Sequence, residues 1–237
     1  MRARQRHLNP KAAGAKIVLD SRYIDQADNT AITSWADRSG NAYNAAQGDN
    51  TKQPTFQTNE IGGNGAVRFD GSNDSLQATS VILPCHISAI VVQSSTRTGS
   101  NLKFWFEHSA NTNSNSGCFF NGTYGGAWAY NRNSGLTDGP SRDNTDWIGS
   151  GWSIASHSYD GTGIIYKNGV LVSDVTFSGT ARSNTDATQA LNIGARNQAS
   201  LFLNGDIAQI VIVPVASNSL RRRLENAASY SFKIACS

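Results

Sequence analysis

Apolar residues in this chain recur in short runs with turn residues between them, and one stretch shows the rule plainly. From Trp152 to Asp174 the sequence reads Trp-Ser-Ile-Ala-Ser-His-Ser-Tyr-Asp-Gly-Thr-Gly-Ile-Ile-Tyr-Lys-Asn-Gly-Val-Leu-Val-Ser-Asp. Ile164, Ile165 and Tyr166 are strand formers, and Val170, Leu171 and Val172 resume the same chemistry. Asn168-Gly169 between them suits a two-residue type I′ turn, whose central residues both need positive φ. Asp160-Gly161 ends the run from Trp152 to Tyr159, so the segment is predicted to be a three-strand antiparallel meander.

The same reading predicts short strands at 16–19, 43–47, 54–57, 66–69, 75–78, 86–93, 102–107, 118–121, 126–132, 190–193 and 206–213. In the last of these, Ile207, Gln209, Val211 and Val213 alternate with Ala208, Ile210 and Ile212, and both sets are mostly apolar. A strand covered on both faces fits that pattern. One helix is expected over 217–232, capped by Ser217 or Ser219, with Leu220, Leu224, Ala227 and Ala228 on one face. Arg221, Arg222 and Arg223 are then expected to point largely to solvent. Polar stretches at 109–117, 133–146 and 176–188 read as loops. Nothing repeats at solenoid or propeller spacing, and no linker divides the chain. A basic arm at 1–15 and a single domain at 16–237 are the expected organisation.

Composition sharpens the class. Charged residues make up 16% of the 237, hydrophobic ones 38%, and the 5 Trp, 9 Phe and 7 Tyr supply much of the buriable area. That is a chain of many strands and turns, neither a helical bundle nor a disordered polymer. Arg2, Arg4, Arg6, Lys11 and Lys16 all precede the first acidic residue, Asp20, yet no base-stacking motif follows, so nucleic acid is a minor expectation. Cys85, Cys118 and Cys236 are too far apart to suggest a zinc site or a disulfide framework. The first residues carry charge without an apolar run behind them, so no secretory signal is expected, and no apolar stretch is long enough to insert in a membrane.

Several blocks carry a resemblance. These are Trp35-Ala-Asp-Arg-Ser-Gly-Asn41 with Gln47 and Gln53-Pro54, Val67-Arg-Phe-Asp-Gly-Ser72 with Asp74 and Leu76, Trp152 with Tyr159-Asp-Gly and Tyr166-Lys-Asn-Gly-Val, and Leu191-Asn-Ile-Gly-Ala-Arg196 with Gly205-Asp-Ile-Ala-Gln-Ile-Val-Ile212. In this order they resemble the laminin G-like, concanavalin A-like jelly-roll superfamily, of the kind found in phage structural proteins. The resemblance implies an all-β sandwich of two antiparallel sheets with one C-terminal helix. It also implies work outside cells, and calcium at the sandwich rim in many members. Where the family shows a Trp before Asp20, this chain has Leu19.

Candidate chemistry is sparse. Glycoside hydrolysis needs two carboxyl groups at defined separation, and the jelly-roll hydrolases take them from Glu-x-Asp-x-Glu on one strand. Here Glu60, Glu107 and Glu225 are far apart and that motif is absent. His157 lies beside Ser156, Ser158 and Tyr159, but no nucleophile elbow accompanies it and a structural role is expected. Asp70, Asn73 and Asp74 form the densest oxygen cluster and are the candidate Ca2+ ligands; Asp138, Asp143, Asn144 and Asp146 form another, in a loop. A carbohydrate platform needs aromatic faces with amides beside them, for which Tyr124, Trp128, Tyr130, Asn131, Arg132 and Trp147 are the candidates. Trp35, Trp105 and Trp152 are assigned to the core.

With a scaffold and no reaction centre in view, the sequence favours a non-enzymatic virion structural or adhesion protein, as a capsid decoration, fibre or tail component. Its partners would be other virion or surface proteins in an oligomeric assembly, with host glycans a further possibility. The alternative is a lectin-like module, extracellular or at a cell surface, recognising glycans; a polysaccharide-active enzyme comes third.

Overall fold

A computed structural model describes residues 9–11, 13–84, 86–95, 103–108, 117–123, 126–132, 141–143, 151–160, 163–172, 186–215 and 217–236. In chain order the strands are β1 (Ile17–Asp20), β2 (Thr30–Ala31), β3 (Ser34–Trp35), β4 (Ala45–Ala46), β5 (Thr55–Ile61), β6 (Asn64–Asp70), β7 (Leu76–Leu83), β8 (Ile87–Ser95) and β9 (Lys103–His108). They continue with β10 (Gly117–Thr123), β11 (Gly126–Arg132), β12 (Ser141–Asp143), β13 (Ser153–Tyr159), β14 (Gly163–Lys167), β15 (Val170–Leu171), β16 (Ala187–Ile193) and β17 (Asn204–Val213), followed by the helix α1 (Asn218–Phe232).

The strands form two antiparallel sheets. One has nine strands in the order β15-β14-β13-β8-β17-β6-β5-β2, with β1 pairing beside β6 on the same edge of β17; the other has eight, β12-β11-β10-β9-β16-β7-β4-β3. The predicted meander is β13-β14-β15. At its second turn Asn168 has φ 51° and Gly169 φ 85°. Asn168 does more than tolerate the turn, because its Oδ1 also accepts the Ile154 N–H at 2.8 Å and ties the hairpin back onto β13.

Between the sheets lies a core that includes Leu19, Trp35, Phe69, Trp105, Phe106, Ile165, Leu191 and Ile210. Leu19 is fully buried in it. A second apolar layer fills the space between the outer face of the nine-stranded sheet and α1: Val18, Ile90, Ile154, Val211 and Val213 meet Leu224, Ala228 and Phe232. Ile207, Ile210 and Ile212 of β17 enter the first layer and Ala208, Val211 and Val213 the second, the phase changing at an irregularity between Ile207 and Gln209, so the strand is covered on both faces as its doubly apolar pattern requires. Trp152 is half-buried against the second layer, whereas Trp35 and Trp105 are in the first.

Helix α1 starts where Ser217 caps it, its Oγ accepting the Leu220 N–H at 3.3 Å, and stops at Lys233 in the left-handed conformation. One expectation fails here. Arg222 and Arg223 are exposed, but Arg221 is 2% exposed. It faces the sheet because Glu225, one turn on, and the Tyr166 ring together provide a partner for the charge. The closing strand β16 begins at Ala187, inside the stretch expected to be loop. Of the arm, residues 1–8 lie outside the described residues, while Ala15 is buried in the second layer and the Lys16 N–H bonds to the Ile212 carbonyl at 2.8 Å.

Candidate functional site

The proposed aromatic platform falls on β11. Trp128 pairs with Asn121 of β10 and Arg142 of β12, Tyr130 with Phe119, Asn131 with Cys118 and Arg132 with Gly117. Strand alternation puts positions 128, 130 and 132 in one phase and 131 in the other. Tyr124 and Trp147 lie outside the described residues, as do the side chains of 117–123, 126–132 and 141–143. Cys85 and the loop residues Asp138, Asn144 and Asp146 also lie outside.

The pairing register extends this platform into something the sequence did not reveal. Tyr130 pairs with Phe119, Phe119 with Glu107, Glu107 with Asn192, and Asn192 with Gln77. One ladder row thus crosses β11, β10, β9, β16 and β7. Leu191, Ile193, Leu76 and Ala78, which flank Asn192 and Gln77 along their strands, enter the inter-sheet core. Glu107, Asn192 and Gln77 therefore belong to the opposite, outer face of the eight-stranded sheet. These polar members are linked: the Gln77 amide donates to Asn192 Oδ1 at 2.8 Å, and Glu107 Oε2 accepts the Asn197 N–H at 2.7 Å. Asn192 and Glu107 are fully buried, and Asn192 Nδ2 finds no partner. A buried amide donor without an acceptor costs free energy, so its presence in an ordered row of amides and a carboxylate is informative. The signal available in the sequence was polar residues in the outward phase of otherwise apolar strands. Without knowledge that β9, β16 and β7 are neighbours, that signal does not assemble.

The Asp70–Asp74 turn is held by its own backbone. Asp70 Oδ1 accepts the N–H groups of Ser72 and Asn73 at 2.8 and 3.3 Å, and Asp74 Oδ2 accepts the Asp70 N–H at 2.9 Å. The Asn73 amide donates to the Thr51 carbonyl at 3.0 Å. Burial pushes the Asp74 carboxyl up to about 6, with the Asp70 charge adding to it. A calcium ion needs about six to eight oxygens. The Asp70 and Asp74 carboxylates are engaged by backbone N–H groups of the turn, and among the described residues no group of three or more His, Cys, Asp or Glu side chains converges.

Two carboxylates do approach each other elsewhere. Glu60 Oε1 and Asp206 Oδ2 both lie within 3.0 Å of Arg68 Nη2, whose Nε also bonds Asp206 Oδ1 at 2.8 Å. Arg68 stands between them and neutralises both, so neither is placed as an acid or base. Glu107 is committed to a loop N–H, and Glu225 to Arg221 and Ser156. His157 points into the inter-sheet layer, is 2% exposed, and is pushed down to about 3 by desolvation. It is a neutral core residue, as expected. Among the described residues no helix is long and apolar enough to cross a membrane.

Neither a protein-family model nor a curated protein sequence matches the chain. Solved structures do. The botulinum neurotoxin type G receptor binding domain superposes with a TM-score of 0.60 at 15% identity over 92% of this chain and 51% of that one. The binding domain of paraclostridial mosquitocidal protein 1 gives 0.63 at 13%, over 94% of this chain and 53% of that one. The chain thus spans about half the length of these binding domains. Domain 4 of the extracellular arabinanase AbnA from Geobacillus stearothermophilus, solved with arabinotriose, gives 0.57 at 16%, covering 86% of this chain and 100% of that domain. Trypanosoma rangeli sialidase also matches, at 0.61 and 10%, over only 33% of its length. At these identities the likeness establishes the fold: a mostly-β sandwich of two antiparallel sheets with a C-terminal helix.

Proposed function

We propose that this chain is a non-catalytic, glycan-binding sandwich module acting outside cells or at a cell surface. The observation that carries the reading is the backbone register that aligns Tyr130 of β11 with Glu107, Asn192 and Gln77, the last three on one outer sheet face. Sugars present hydroxyls on their edges and C–H groups on their ring faces. An exposed planar amide such as that of part-exposed Gln77 answers the first, and aromatic rings answer the second, while buried Glu107 and Asn192 fix the row from beneath. Trp128, Tyr130 and Arg132, which share one phase of β11, form the aromatic end of that face in this proposal, with Asn131 in the opposite phase. The whole-length likeness to an arabinotriose-bound domain supports the same use of the fold, as do the binding domains of the two toxins. The laminin G-like affiliation and the virion role rest on the sequence argument alone, and the neighbouring structures lend neither of them support.

A glycan array run with the wild type and with Trp128→Ala and Tyr130→Ala tests the reading. Binding to a neutral oligosaccharide should fall at least about tenfold in each variant. Binding untouched by both changes would remove β11 from the site. Absence of binding to every glycan would favour a purely structural protein.

A further inference from the structure

We infer that Gln77 is a specificity-determining residue of the outer sheet face, presenting a carbonyl oxygen that takes a neutral saccharide by a free hydroxyl and turns away etherified and anionic ones. The inference rests on the glycan-binding reading and deepens it.

The register row that contains Gln77 continues beyond it. Gln77 pairs with Ala46 of β4, and Ala46 with Ser34 of β3. Ala45 and Trp35, next along those strands, enter the inter-sheet core, so Ala46 and Ser34 share the outer phase with Gln77, Asn192 and Glu107. Exposure falls along this row. Ser34 and Ala46 are exposed, Gln77 is part-exposed, and Asn192 and Glu107 are fully buried. Gln77 is thus the one member of the buried polar row that a ligand can touch, and the small side chains of Ala46 and Ser34 leave space beside it.

Which end of the Gln77 amide faces that space is decided beneath the surface. Gln77 and Glu107 flank Asn192 on opposite sides, in β7 and β9. Glu107 brings carboxyl oxygens, one of which accepts the Asn197 N–H at 2.7 Å. A planar amide carries its oxygen and its nitrogen on opposite sides of its stem. Asn192 Oδ1 accepts from Gln77 Nε2 at 2.8 Å, which turns Asn192 Nδ2 to the Glu107 side. Nδ2 makes no hydrogen bond there. The reverse orientation would set a buried amide oxygen against the carboxyl oxygens, acceptor against acceptor, which costs more than an idle donor. Asn192 is therefore held one way round and draws the Gln77 nitrogen toward β16. Gln77 Oε1, which accepts nothing among the described residues, is left on the side of Ala46 and Ser34.

The surroundings fit the same ligand. Strands β3, β4, β7 and β16 contain no Asp, Glu, Lys or Arg, so no cation on them draws a uronate or a sulfate to this place. A carbonyl oxygen also repels either anion. A sugar hydroxyl donates to it, whereas a methyl ether at the same position has no hydrogen to give.

Amide NMR and glycan titration of the full chain test the inference together. In the free protein the Gln77 side-chain amide should exchange with solvent at least about tenfold more slowly than that of exposed Gln26. The saccharide probes are cellohexaose, xylohexaose and mannohexaose, each free and per-O-methylated, with hexaglucuronate as the anion. Gln77→Met keeps the length of the side chain and removes the acceptor; a thermal melt confirms its folding. It should weaken binding of the free sugar by about fivefold and leave the methylated form unchanged. Hexaglucuronate should bind no more tightly than cellohexaose. An unprotected Gln77 amide, an equal effect of Gln77→Met on free and methylated sugars, or tighter binding of hexaglucuronate would each overturn the inference. Binding that falls in Trp128→Ala or Tyr130→Ala but ignores Gln77→Met removes Gln77 and leaves the glycan-binding reading standing. If no saccharide of this panel or of the array binds, both fall together.

Discussion

Arg221 and Glu225, one helical turn apart on α1, make a 2.5 Å ion pair in which each side chain is 2% exposed. Ser156 of β13 donates to the same carboxylate oxygen, and the Arg221 guanidinium lies 3.4 Å from the centroid of the Tyr166 ring. The pair therefore locks the helix to the meander. Burying charge is costly, and removing one member leaves the other stranded. Glu225→Gln is expected to destabilise the fold by about 3 kcal/mol or more, whereas replacing both residues with apolar ones of similar volume should come close to neutral. Urea unfolding of the two variants checks this, and a single variant within about 1 kcal/mol of wild type would contradict the locking role.

The same pair marks where sequence reasoning stops. Three consecutive arginines read as a solvated face, and that holds for Arg222 and Arg223. Arg221 has a local partner in Glu225, but what draws the pair onto the sheet is at long range, the Tyr166 ring over Arg221 and the Ser156 hydroxyl on Glu225, which pattern alone does not supply. Asn168-Gly169, by contrast, was legible because the backbone geometry of a two-residue turn is a local demand. The cap at Ser217 and the two-sided burial of β17 were legible for the same reason. The register row of Tyr130, Glu107, Asn192 and Gln77 was not, since it depends on a strand order that departs from chain order, with β9 beside β16 and β16 beside β7.

His157 gives the fold a dependence on pH. Desolvation holds its imidazole down to about 3 in the folded state, against about 6.5 in an unfolded chain. Below about 6.5 the unfolded state takes up a proton that the folded state refuses, so stability is complete above that pH and falls as the medium is acidified toward 3. From pH 7 to pH 5 the loss should be about 2 kcal/mol. Denaturant titrations at several pH values check the slope, which should flatten in His157→Gln.

Asp74 works in the opposite sense. Its carboxyl is held at about 6 when folded, against about 3.9 unfolded, so the folded state binds the proton more tightly. Its contribution is most favourable in acid and declines as pH rises from about 4 through about 6. Asp74→Asn keeps an oxygen for the Asp70 N–H and removes the buried charge. It should stabilise the protein above pH 6 by up to about 1 kcal/mol, the figure being reduced for partial solvent screening, with no gain at pH 4. Thermal melts at the two pH values decide it, and equal gains at both would contradict the titration.

Gly194 follows β16, where the chain leaves the eight-stranded sheet, and two constraints act on it at once. Its φ is +77°, a conformation that side chains rarely adopt, and a Cβ there would meet Phe69 Cδ1 and Cε1 at 2.3 Å. Phe69 is 1% exposed in the inter-sheet core and has no room to retreat. Gly63 shares the positive φ, at +87°, but a Cβ on it would find nothing within 4 Å. The pair separates backbone strain from overpacking. Gly63→Ala should cost about 1 kcal/mol, and Gly194→Ala about 2–4 kcal/mol, the difference being the displaced ring. Phe69→Leu in the Gly194→Ala background should recover part of that difference, because it shortens the side chain that the new methyl strikes. If the two alanine variants unfold at the same denaturant concentration, the clash with Phe69 is not what fixes glycine at 194.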